Sequence, residues 1–198
     1  MTTLRAALIG APNSGKSSLF NTLTGSHQKV ANYPGVTVER RSGIVTTEAG
    51  HNIKLIDLPG LYSLNDRSLD ETVSREVITG AHDSEQQPEV LICVVNASNL
   101  RVHLRLVLEL RNLGLPMIIA LNMHDLATRD GIEIDVKRLS EELGLRVITT
   151  IAVRHSGINA LKELLDRDRS SYEKPRKSLP DASTRALQKE AGRITKLV

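Results

Sequence analysis

Eight residues near the start of the chain constrain its fold more than any others. Gly10 to Ser17 read G-A-P-N-S-G-K-S, which fits the phosphate-binding pattern G-x-x-x-x-G-K-[ST] at every fixed position. That pattern acts only between a strand and a helix. The aliphatic run Leu4–Gly10 supplies the strand and Lys16–Thr24 reads as the helix. Gly10 and Gly15 let the backbone fold back, so that the amides of Asn13, Ser14, Gly15, Lys16, Ser17 and Ser18 face an anion. The helix N-terminus adds about half a positive charge. Lys16 is then placed for β- and γ-phosphates, and the Ser17 hydroxyl for Mg²⁺. The plain alternative is a glycine-bearing strand–helix turn with no ligand, and the motifs downstream argue against it.

The rest of the chain alternates strand-like and helix-like segments. Val36–Val45 and Asn52–Asp57 read as two strands joined by a polar turn, close enough for an antiparallel hairpin. Ser68–Thr79 reads as a helix, Glu89–Val95 as a strand, and Leu100–Leu113 as a helix closed by Gly114 and Pro116. Strand Met117–Leu121, helix Asp135–Leu143, strand Val147–Ile151 and helix Ile158–Arg167 complete the body. This order predicts an α/β fold: a mostly parallel sheet with one antiparallel strand, flanked by helices. Aromatic residues are scarce (no Trp, one Phe, three Tyr), so the core must be aliphatic.

Residues 1–168 form the expected domain and polar, proline-containing 169–182 a linker. In residues 183–198, Leu187, Ala191, Ile194 and Val198 make one helical stripe, expected to lack a partner and to begin a helical appendage. The net charge of +3 sits in the tail, because residues 1–165 hold 17 Lys/Arg against 18 Asp/Glu. A neutral body disfavours nucleic-acid binding. The one cysteine, Cys93, lies in an apolar run and reads as a small buried hydrophobe. The six histidines share no ligand spacing.

Three further segments fall where strands end, the place where open α/β sheets bind ligands. Asp57-Leu58-Pro59-Gly60 follows the run Ile53–Ile56: Asp57 is placed to hold Mg²⁺, and Gly60 to give a backbone N–H to a γ-phosphate. Asn122-Met123-His124-Asp125 follows Ile118–Leu121 and is similar to N-K-x-D, with Met for Lys. The Asp125 carboxylate suits the two donors on the edge of guanine, whereas adenine would face it with a lone pair. Asn122 is expected to tie this loop to the phosphate loop and to reach N7, with Met123 packing over the base. Ala152 is a weaker match, through a backbone N–H to guanine O6. Between the phosphate loop and Asp57, Thr37 is the candidate to bind Mg²⁺ and sense the γ-phosphate, in a segment loosened by Pro34 and Gly35.

Together these segments resemble the cytosolic G domain of FeoB-type ferrous-iron transporters, over residues 3–165. The particular matches are Pro12–Gly25, Val30–Glu39, Asp57–Leu64 and S-L-D-E at Ser68–Glu71. The resemblance implies a Ras-like P-loop NTPase domain that binds GTP and GDP with Mg²⁺ and hydrolyses GTP slowly. It implies a place at the cytoplasmic face of a bacterial inner membrane, joined to helical and permease domains of the same polypeptide, and leaves the oligomeric state open. It also implies a K⁺ site made by Asn13 with the carbonyls of Ala31 and Tyr33. The position after D-L-P-G is Leu61, where many GTPases place a water-orienting Gln. Catalysis is therefore expected to rest on Lys16, Thr37, Gly60 and Asn13. The competing readings are an RNA-linked, ribosome-assembly GTPase of the Era type, and an interaction module that holds nucleotide without turnover.

Overall fold

The computed structural model describes residues 3–25, 28–34, 36–64, 68–166 and 183–198. Seven strands form one sheet: β1 (Leu4–Gly10), β2 (Gln28–Asn32), β3 (Glu39–Thr46), β4 (Asn52–Asp57), β5 (Val90–Asn96), β6 (Met117–Asn122) and β7 (Arg146–Thr150). Their spatial order is β2-β3-β4-β1-β5-β6-β7. β3 pairs antiparallel with both neighbours, and the other pairings are parallel. Among the described residues, seven α-helices accompany the sheet: α1 (Lys16–Thr24), α2 (Leu69–Thr79), α3 (Leu100–Arg111), α4 (His124–Arg129), α5 (Val136–Leu143), α6 (Ile158–Leu165) and α7 (Thr184–Leu197).

The sheet is buried on both faces by period-two alternation. On β5, Leu91, Cys93 and Val95 join one core with α2, α3, α5 and α7, while Val90, Ile92 and Val94 join the other with α1 and α6. Burial pushes the Cys93 thiol up to about 12, so it packs as a hydrophobe. Helix ends follow local chemistry. Ser68 and Glu71 form a reciprocal capping box at the start of α2, and Asp135 caps α5.

Four differences from the sequence expectations have physical causes. The expected strand Val36–Val45 begins at Glu39, because the residues before it bond back to Tyr33: Tyr33 N–H donates to Val38 C=O at 2.9 Å and Val36 N–H to Tyr33 C=O at 3.3 Å. β2 was not expected: its residues are nearly all exposed, so no alternation marks it. α4 is six residues long, too short for a periodic signal. The stripe expected to lack a partner has one, since Leu187, Ala191 and Ile194 are buried in the core shared with α3. On the same helix, Arg193 binds Glu142 of α5 at 2.7 Å. The expected linker, residues 169–182, lies outside the described residues. No helix among the described residues is long and apolar enough to cross a membrane.

Candidate nucleotide site

The parallel strands deliver the candidate residues to one edge of the sheet. β1 ends at Gly10 and leads into the phosphate loop, where Asn13 (φ 61°) and Gly15 (φ 83°) turn left-handed. Asn13 and Ser17 are exposed, Ser18 is half-buried and Ser14 is buried. The Ser14 hydroxyl has no partner among the described residues, although its N–H donates to Ala11 C=O at 3.2 Å. Glycine at 15 is demanded twice. A Cβ there would need the unfavourable left-handed region and would lie 2.1 Å from Asn122 Nδ2.

Asn122, the last residue of β6, joins three segments. Its Nδ2 donates to Ser14 C=O at 3.1 Å, while its Oδ1 accepts from Thr150 Oγ1 at 3.2 Å and from Ala152 N–H at 3.1 Å. The expected tie to the phosphate loop is therefore present. Ala152 needs a correction: its N–H, assigned above to guanine O6, is here given to Asn122. The sequence reading passed over Thr150, although a hydroxyl ending an apolar strand and buried beside Asn122 is a usable signal. Thr22 of α1 adds a bond to Ala152 C=O at 3.0 Å. Met123 is left-handed and opens α4, and Asp125 lies in that helix's first turn. Asp125 faces Arg154 at 3.8 Å across the site.

At the other end Asp57, the last residue of β4, is buried, and its Oδ1 accepts from Lys16 Nζ at 2.6 Å. Gly60 lies against Pro12 of the phosphate loop, where a Cβ would meet the ring at 3.3 Å. Leu61 N–H donates to Gly10 C=O at 3.2 Å, and the Leu61 side chain is fully buried. It therefore points into the core and not toward a phosphate. The oxygen donors Ser17 and Asp57 fit a hard cation such as Mg²⁺, which takes few protein ligands and fills its shell with water and phosphate.

The switch-like segment is less assembled. Thr37 is exposed and lines an open groove with Tyr33, Pro34, Val36 and Leu69. Ala31 pairs with Arg40 in edge strand β2, three strand positions from β1, or about 14 Å at ordinary spacing. Tyr33 C=O accepts from Val36 N–H at 3.3 Å. The Tyr33 ring is buried edge-on to His82 at 5.2 Å, and burial first, then Glu85, pushes its phenol up to about 12. Thus Ala31 and Tyr33 are engaged in the β2–β3 hairpin and its turn, apart from the phosphate loop that carries Asn13.

With this geometry in place, the comparisons with known proteins are specific. Residues 4–165 match the family described as ferrous iron transport protein B. The Fe(2+) transporter FeoB of Escherichia coli K12 is 47% identical over 171 residues, covering 84% of this chain and 21% of that protein. The chain therefore spans about a fifth of the length of such relatives. The cytosolic domain of Legionella pneumophila FeoB superposes with TM-score 0.77 at 42% identity, over 87% of this chain and 71% of that one. The cytosolic domain of the Thermotoga maritima transporter in its GMPPNP form gives 0.82 at 38% identity, over 89% and 68%.

Proposed function

The chain belongs to the family of ferrous iron transport protein B, and on that premise we propose that it is a guanine-nucleotide switch that hydrolyses GTP and governs Fe²⁺ passage through a membrane transporter at the cytoplasmic face. The observation that carries this reading is the position of Asn122. One buried amide holds the phosphate loop, the base-reading loop and the end of β7 as a unit. The Era-type alternative falls away with the family match.

The geometry supports the following roles. Amides from Asn13 to Ser18 receive the phosphates. Asp125 accepts from the guanine edge, with Asn122 directed at N7 and Met123 beside the base. Lys16 turns from Asp57 to the phosphates, exchanging one anion for another, so Asp57 gains room for a cation. Mg²⁺ held by Ser17 and Asp57, and by Thr37 once its segment closes, would neutralise the phosphate charge. The Gly60 N–H is directed at the terminal phosphate. Since Leu61 cannot orient water, hydrolysis is expected at the slow intrinsic scale, roughly 10⁻⁴–10⁻² s⁻¹. K⁺ bound by Asn13, with the Ala31 and Tyr33 carbonyls brought over by movement of their hairpin, would raise that rate.

Calorimetric titration with GDP and ADP tests the base reading, and GDP should bind tighter by about a hundredfold or more. Phosphate release should be faster in K⁺ than in Na⁺, and Asn13→Ala should abolish the difference. Equal GDP and ADP affinities would remove the role of Asp125, and equal rates in the two salts the role of K⁺.

A further inference from the structure

Glu109 lies in the last turn of α3, outside every motif read from the sequence. Its side chain is 4% exposed, yet it is fully engaged. Leu64 N–H donates to Oε2 at 2.6 Å. Ser63 Oγ lies 3.0 and 2.9 Å from the two carboxylate oxygens. Arg105, one helical turn back, gives Nε to Oε1 and Nη2 to Ser63 Oγ, both at 3.0 Å. Burying a carboxylate costs free energy that a leucine on the same helix face would not. Packing alone therefore does not explain this residue.

What the cluster grips is Ser63 and Leu64, in the loop that begins with Asp57. That loop is held in three other places. Leu58 N–H donates to Leu8 C=O at 3.0 Å, Ser74 Oγ to Pro59 C=O at 3.0 Å, and Leu61 N–H to Gly10 C=O at 3.2 Å. Gly60 lies between these anchors and abuts Pro12. Three of the fixings come from the sheet, the phosphate loop and α2. The Glu109 cluster ties the loop to α3 through charge-assisted bonds, the stronger kind.

We propose that Glu109, braced by Arg105, is a positioning residue for GTP hydrolysis: it fastens Ser63 and Leu64 to α3 and so holds Gly60 with its N–H toward the terminal phosphate. The proposal rests on the GTPase reading given above. It concerns the loop that meets the γ-phosphate, so it separates triphosphate from diphosphate. GDP does not reach Gly60, and its affinity does not depend on the clamp. Turnover does, because the loop without this anchor spends less time in the reactive arrangement.

The test compares single-turnover GTP hydrolysis with GDP and GMPPNP affinity for the unaltered chain, Glu109→Ala, Glu109→Gln and Ser63→Ala. Glu109→Ala should slow hydrolysis by about tenfold or more and weaken GMPPNP by about threefold, with GDP affinity within about twofold. Glu109→Gln keeps an acceptor for Leu64 N–H and should recover part of the rate. Should Glu109→Ala fail to fold, Glu109→Gln and Ser63→Ala carry the comparison and should show the same split in smaller measure. Unchanged hydrolysis in the folded variants overturns the proposal. So does a loss of GDP affinity in proportion to the rate, which marks general damage. Absence of hydrolysis by the unaltered chain would bring down the GTPase reading itself, and this clamp with it.

Discussion

The two ends of the candidate nucleotide site are built in different ways. At the base end, Asn122 makes three hydrogen bonds, one to the phosphate loop and two to the stretch that ends β7, and Thr150 and Ala152 are buried around it. At the phosphate-sensing end, Ala31 and Thr37 are exposed and Lys16 is spent on Asp57. On the proposed reading, base recognition is thus assembled in advance, while phosphate sensing needs Lys16 and the segment that carries Thr37 to change partners. A switch has to place rigidity where it selects its ligand and freedom where it reports on it.

The largest expected effect comes from breaking the preassembled end. Gly15→Ala would force an unfavourable left-handed alanine and push Asn122 off Ser14, since the added Cβ falls 2.1 Å from Nδ2. GDP affinity should fall by more than about a hundredfold, or about 3 kcal/mol, by calorimetry. A loss of only a few-fold would mean that the base end rearranges freely and that the contrast between the ends is false.

A smaller effect is expected from acid. His103 on α3 is buried, its Nδ1 accepts from Asn96 N–H at 3.4 Å, and burial holds its pKa below the ordinary 6.5. Asn96 ends β5 directly beside Asn122 in the sheet. In the window below pH 6.5 the unfolded chain binds a proton that the native imidazole resists, so stability is full above 6.5 and falls as pH drops. Asp166, whose carboxyl lies below the usual range through bonds from Thr47 and His51, loses its contribution only at lower pH. Urea unfolding between pH 7.5 and 5 should show a midpoint falling with acid, flattened in His103→Gln. An identical slope in both proteins would remove His103 as the acid-sensitive support of the base end.

How much of this was legible in the sequence differs between the same two ends. Gly10, Gly15, Lys16, Asp57 and Asn122 announce themselves because each answers a demand of backbone or charge at a strand end, and the apolar runs of β1, β5 and β6 mark buried strands. β2 was not legible: Gln28–Asn32 is an exposed edge held by backbone bonds to β3, which leave no side-chain pattern. Glu109 was invisible for another reason. A lone acid in an amphipathic helix reads as a solvated face, and only the folded path of Ser63 and Leu64 turns it inward. The partner of α7 was missed because its stripe packs on α3, some 80 residues earlier, and no local period encodes that meeting.

The smallest expected effect is the sharpest probe of the contrast. Arg154 is largely exposed, and its guanidinium stands 3.8 Å from Asp125, too far for a hydrogen bond. The carboxylate oxygens therefore remain available to guanine while the cation holds the group toward the site. An exposed pair of this kind contributes at most about 1 kcal/mol and is screened by salt. Arg154→Ala should weaken GDP by about two- to threefold at low ionic strength, with the difference gone near 1 M salt. If affinity instead rises, Arg154 is a counter-ion that guanine must displace, as the phosphates must draw Lys16 from Asp57. Both ends of the site would then start from a paired state, and the preassembly of the base end would reduce to Asn122 and the residues it binds.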